Sequence, residues 1–93
     1  GFLQSDEPGP EQMRQQRELA QAIQNCLKAL PEDQRVAVVL CDVEGYDYNE
    51  IASIITGSLG TVKSRISRAR GKLRDCLQEF RELLPAQYRL ENG

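Results

Sequence analysis

The sequence predicts an all-α fold: a four-helix domain whose last two helices form a helix-turn-helix at the C-terminal side. Three observations carry this. Apolar residues recur at helical spacing over most of the chain, Pro and Gly punctuate that pattern at Pro31, Gly45, Gly57 and Pro85, and six cations crowd residues 61–74 without one acid among them. The 93 residues suffice for one domain with a modest core and leave little room for a deep substrate cavity.

Residues 1–9 hold Ser, Asp, Pro and Gly without periodicity and read as a flexible lead-in to a domain at 10–84. Pro10 suits a first helical turn, where the amide it lacks would be unpaired anyway. Met13, Ala20, Ile23, Leu27 and Leu30 then draw one apolar face on a helix from about Pro10 to Leu30. Leu30-Pro31 ends it, because a residue before proline is pushed out of the α region. Pro31 and its acidic neighbours start a second helix that is expected to reach Asp42. Its stretch Val36–Cys41 is β-branched, but no partner strand exists for it.

Gly45 has the position of a C-terminal cap. Asp47 and Glu50 are spaced as a capping box for a short third helix with Ile51, Ala52, Ile54 and Ile55, ending near Thr56 and Gly57. Ser58 caps the fourth, which the sequence carries without a break to Leu84, where Pro85 forbids propagation. Val62, Ile66, Ala69, Leu73, Leu77, Phe80 and Leu84 are its core stripe. Residues 85–93 read as a loose tail.

The net charge of −2 conceals segregation: residues 1–60 carry four basic and ten acidic side chains, residues 61–74 carry six basic and none acidic, and residues 75–93 carry two and four. Like charges at i,i+4, such as Arg70 and Arg74, disfavour an isolated helix, and a polyanion bound along it offsets that cost. With the core stripe inward, Gly60, Thr61, Ser64 and Arg68 face outward, with Lys63 and Ser67 beside them. Gly60 and Ser64 are small enough to let the helix approach a groove floor, while Arg68 can offer two donors to guanine. Lys63, Arg65, Arg70 and Lys72 flank that face as phosphate contacts would. The whole reads as a DNA-binding helix-turn-helix of the winged-helix-like superfold without a wing.

No His, no phosphate-cradling glycine pattern and no pocketed carboxylates are present, so catalysis and cofactor binding are not expected. Cys26, Cys41 and Cys76 form no CxxC pair, which argues against a metal site and for buried reduced thiols. No apolar run approaches a membrane span and the start GFLQSDEPGP lacks signal-peptide character, so a soluble cytoplasmic protein is expected, within a natural chain longer than this one.

These residues resemble region 4 of bacterial sigma factors, particularly the extracytoplasmic function (ECF) group. The resemblance rests on Leu30-Pro31 followed by Arg35, on Glu44-Gly45-Tyr46-Asp47-Tyr48-Asn49-Glu50-Ile51-Ala52, and on Gly60-Thr61-Val62-Lys63-Ser64-Arg65 with Ser67-Arg68-Ala69-Arg70. It implies recognition of the −35 promoter element by the last helix, binding of the RNA polymerase β flap by the amino-terminal helices, and control by an anti-sigma factor. Base reading would fall on Lys63, Ser64, Ser67 and Arg68, and backbone contacts on Tyr48, Asn49, Thr61, Arg65, Arg70 and Lys72. Nothing here corresponds to the −10-melting region 2. The chain departs from the family at Thr56-Gly57, where Gly and then a branched apolar residue are usual, which implies a reshaped or less tightly packed turn.

Two alternatives stand beside this reading. The output domain of LuxR-type regulators also has a TVK-containing recognition helix, but commonly carries His where Arg65 stands and lacks the LP…R start. An anti-sigma-binding interaction module would use the face of Leu19, Ile23, Leu27, Val39 and Leu40, residues that equally suit a core.

Overall fold

Proline and arginine together explain the first interhelical corner. The computed structural model describes residues 9–88; the expected lead-in, Gly9 apart, and the last five residues of the expected tail lie outside them. Helix α1 spans Pro10–Lys28, and its opening amide at Gly9 donates to the Gln12 side chain (3.0 Å). It stops before Pro31, and the Arg35 guanidinium reaches back to the carbonyls of Leu30 (3.0 Å) and Leu27 (3.5 Å). Pro31 therefore breaks the helix while Arg35 satisfies acceptors that the break exposes.

Helix α2 (Glu32–Val38) does not run on to Asp42 as an α-helix; Val39–Val43 form a π-helical turn, with the Glu44 amide bonded to the Val39 carbonyl at 2.9 Å. A residue is added to the turn where the chain must serve two neighbours. Leu40 and Cys41 pack beside Ile51, Val62 and Ile66, while Val43 is left 68% exposed. Gly45, at φ +83°, then lets the chain reverse, with the Tyr46 amide closing onto the Leu40 carbonyl at 3.0 Å.

Helix α3 is Tyr48–Ile55 and helix α4 is Leu59–Cys76. Val62, Ile66, Ala69 and Leu73 are all buried, so the fourfold stripe read from the sequence is the inward face of α4. Its first part sits with Ala37 and Ile51 in a small cluster, its second with Cys26, Leu30, Val38, Leu77 and Leu84 in a larger one. Leu19, Ile23, Leu27 and Val39 are half-buried against the larger cluster, and Leu40 against the smaller.

Three expectations are corrected at the C-terminal side. Helix α4 ends at Cys76 instead of Leu84, and Gln78–Leu83 continue as a tighter 3₁₀ segment with a kink at Phe80. No breaker residue lies there; the tightening accompanies packing of Leu77, Phe80 and Leu84 onto the cluster shared with α1. Cys26 and Cys76 are not reduced thiols but a disulfide, their Cα atoms 6.0 Å apart and 50 residues apart in sequence. Packing of α1 on the end of α4 makes that pairing, which no local spacing encodes. Ala86–Tyr88, expected within the loose tail, form a further 3₁₀ turn. Among the described residues there is no strand, and no helix is long and apolar enough to cross a membrane.

Candidate nucleic-acid interface

The angle at which α4 is presented depends on three capping devices. Asp47 and Glu50 form the reciprocal box, each accepting from the other's backbone amide at 2.8 Å, which fixes the start of α3. At its end the Thr56 amide bonds to the Ser53 carbonyl (3.2 Å) and the Gly57 amide to the Ala52 carbonyl (2.9 Å), a Schellman closure. Thr56 itself takes the left-handed conformation, φ 56° and ψ 50°. A β-branched side chain is disfavoured there by about 1–2 kcal/mol relative to right-handed backbone. The turn keeps its hydrogen bonds, so the departure at Thr56-Gly57 places the strain on Thr56 without opening the turn. Ser58 then caps α4, its Oγ accepting from the Thr61 amide at 3.1 Å.

Beyond this cap, Gly60, Lys63, Ser64, Ser67 and Arg68 are exposed along the first turns of α4, and Thr61 is half-buried. Ser64 Oγ donates to the Thr61 carbonyl at 3.2 Å. Small side chains thus lie between Lys63 and Arg68, leaving the helix surface low at its centre and cationic at its edges. Asn49 is exposed and Tyr48 half-buried at the start of α3, and Lys72 is exposed further along α4.

Arg65 and Arg70 are differently engaged from Lys63 and Arg68. Arg65 lies 3.5 Å from the Asp33 carboxylate, tying α4 to α2. Arg70 makes a two-pronged pair with Asp42, at 2.6 and 3.0 Å, and both side chains are largely shielded, with 24% and 15% exposure. The Tyr88 hydroxyl donates to the same carboxylate, and an Arg70 nitrogen lies 3.7 Å from the sulfur of the free Cys41. Burial works to raise the Asp42 carboxyl, but hydrogen bonds from Arg70 and Tyr88 outweigh it and hold it below the usual carboxylate range. Burial and then the bond to Asp42 push the Tyr88 phenol up, and burial followed by Asp42 does the same to Cys41.

Sequence reasoning did not place Asp42 or Tyr88 in the site, and read Tyr88 only as a tail residue that could pack back on the domain or meet a partner. Neither belongs to a local motif, and the group assembles only because the π turn and the last 3₁₀ turn meet α4 from two sides. No group of three His, Cys, Asp or Glu side chains that could hold a metal occurs among the described residues.

Comparison with known proteins agrees with this geometry. Residues 20–73, more than half of the chain, match the family described as Sigma-70, region 4. The ECF RNA polymerase sigma factor SigE of Mycolicibacterium smegmatis is 47% identical over 73 residues, covering 78% of this chain and 28% of that protein. The ECF RNA polymerase sigma-E factors of Salmonella typhimurium and Escherichia coli K12 are each 44% identical over 61 residues, covering 66% of this chain and 32% of those proteins. The chain thus spans about three tenths of the length of these curated relatives.

Proposed function

The chain belongs to the sigma-70 region 4 family, and on that premise we propose that it recognises the −35 promoter element for an ECF-type sigma factor, directing RNA polymerase to the start of transcription. The observation that carries the reading is the exposed set Lys63, Ser64, Ser67 and Arg68 on the opening turns of α4, behind a capped and hydrogen-bonded turn. A helix presented in this way enters a major groove, where a few side chains read base edges and surrounding cations hold phosphates.

In this reading Arg68 offers its two donors to a guanine, Lys63 takes a base or a phosphate, and Ser64 and Ser67 admit the groove floor. Thr61, Lys72, Tyr48 and Asn49 meet the backbone. Arg65 and Arg70 are the weaker members of the backbone set, since each is already paired with a carboxylate, Asp33 or Asp42. The polymerase partner is suggested by the relatives' names, and the family resemblance assigns the amino-terminal helices to the β flap and an anti-sigma factor to the apolar side. The family role supports a non-enzymatic protein that acts on DNA in the cytoplasm.

The test is selection of the chain against a random duplex library at low salt, with sequencing of the bound pool. Enrichment of one short, non-palindromic motif is expected. Arg68→Ala should then lose about 1–3 kcal/mol on that motif and blur one base pair of it. A palindromic pool would favour the LuxR-type alternative, and equal loss on selected and scrambled duplexes would remove Arg68 from base reading. Weak absolute affinity is expected, because a tethered second DNA contact would raise the effective concentration in the whole factor.

A further inference from the structure

One flank of α4 carries Lys63, Ser67, Arg70 and Arg74 at steps of four, three and four, so the four side chains form a single row. This row is the floor of a cleft of ≈ 290 Å³, walled by Tyr48 at the start of α3 and by Gln87 from the last 3₁₀ turn. At about 30 Å³ of liquid volume per water molecule, that space accommodates a phosphate group together with several waters. None of these lining residues is acidic.

The three cations of the row are not equivalent. Arg70 is locked on Asp42, so its charge is largely offset and its geometry fixed. Lys63 and Arg74 have no carboxylate within ion-pairing distance among the described residues, and Arg74 is only half exposed. Two uncompensated cations therefore stand at the two ends of one polar trough, about 16 Å apart along the helix axis at 1.5 Å per residue. Tyr88, the residue after Gln87, is bonded to Asp42, which ties the wall that carries Gln87 to the Arg70 pair.

We propose that this cleft binds phosphodiester groups of one DNA strand running past the flank of α4, with Arg74 as a backbone-contacting cation beyond the base-reading turns and Gln87 as a neutral donor beside it. The proposal rests on the promoter-recognition reading above and extends its footprint along the strand by a contact that specifies no base. Lys63 holds the same strand at the entrance, and Ser67 and Tyr48 supply hydroxyl donors between the ends.

The experiment measures binding of the 93-residue chain and its Arg74→Gln variant to the selected duplex and to a scrambled one across a salt series. A parallel set of selected duplexes carries a neutral methylphosphonate at each backbone position in turn. Arg74→Gln is expected to weaken both duplexes alike, about five- to tenfold at 0.1 M salt, and to reduce the salt slope by about one. One methylphosphonate position should weaken the parent chain by a similar factor and leave the variant unaffected. An unchanged slope in Arg74→Gln, or equal sensitivity of both proteins at every methylphosphonate position, overturns the proposal. Arg68→Ala in the same series separates the two readings: if it still blurs base preference while Arg74→Gln has no effect, the cleft assignment falls and promoter recognition stands. If neither variant has an effect, both fall.

Discussion

The two halves of α4 share one helix and one run of positive charge, yet they are held in different ways. Leu59–Arg68 rests on the small cluster through Val62 and Ile66 and leaves Lys63, Ser64, Ser67 and Arg68 exposed. Ala69–Cys76 buries Ala69 and Leu73 in the larger cluster, pairs Arg70 with Asp42, and ends in the disulfide to α1. The first half presents most of the exposed set and the second chiefly anchors the helix, though Lys72 stays exposed and Arg74 half exposed on it. A count of six cations in residues 61–74 therefore overstates what the helix offers to a partner, since two of them are ion-paired.

The sharpest way to break this division is to unseat the presenting half. Ile66→Ala removes a buried side chain of the small cluster and should cost about 2–5 kcal/mol in denaturant unfolding. Duplex binding should fall with it, because Ile66 and Val62 are what that half rests on. Full affinity in a variant so destabilised would show that the reading turns are held by something else.

Cutting the anchor is the next test. Cys26→Ser, or reduction of the bond, should lower stability by about 2–4 kcal/mol, since the link closes a long loop in the unfolded chain. The base preference of the selected pool should not change. A changed motif would mean that the end of α4 sets the angle of its beginning, and the two halves could no longer be treated separately.

The smallest effect concerns the turn that feeds the presenting half. Thr56→Gly relieves the left-handed backbone at that residue while adding unfolded-state freedom, so a net gain of about 0.5–1 kcal/mol is expected. It should appear as a higher denaturant midpoint at unchanged slope. A loss would mean that the Thr56 side chain contributes more than its backbone conformation costs.

The presenting half was largely legible in the sequence because its determinants are local. The Asp47 and Glu50 spacing, the Ser58 cap and the inward pair Val62 and Ile66 are each set within a few residues, and each stands in the structure as the spacing implies. The anchoring half was not, because its determinants join residues far apart. Cys26 meets Cys76 across 50 positions, Asp42 meets Arg70 across 28, and Tyr88 meets Asp42 across 46. Such meetings depend on the angles between helices, which periodicity does not contain. The end of α4 at Cys76 belongs to the same class, since nothing in residues 77–84 forbids helix and the tightening accompanies packing on α1.

The π turn at Val39–Val43 gives the fold a one-residue tolerance to insertion and deletion. Loss of a single residue there would restore ordinary α-helical pitch, and the second helix would remain a helix. Side chains beyond the turn would keep their directions, because five residues at π pitch sweep nearly the same angle as four at α pitch. The identity of the lost residue therefore matters more than the loss, for only removal of Asp42 itself takes the carboxylate from Arg70 and the acceptor from Tyr88. That one deletion, almost invisible to secondary structure, would release a guanidinium onto the flank of α4. Asp42, within that turn, thus decides whether Arg70 is held or presented.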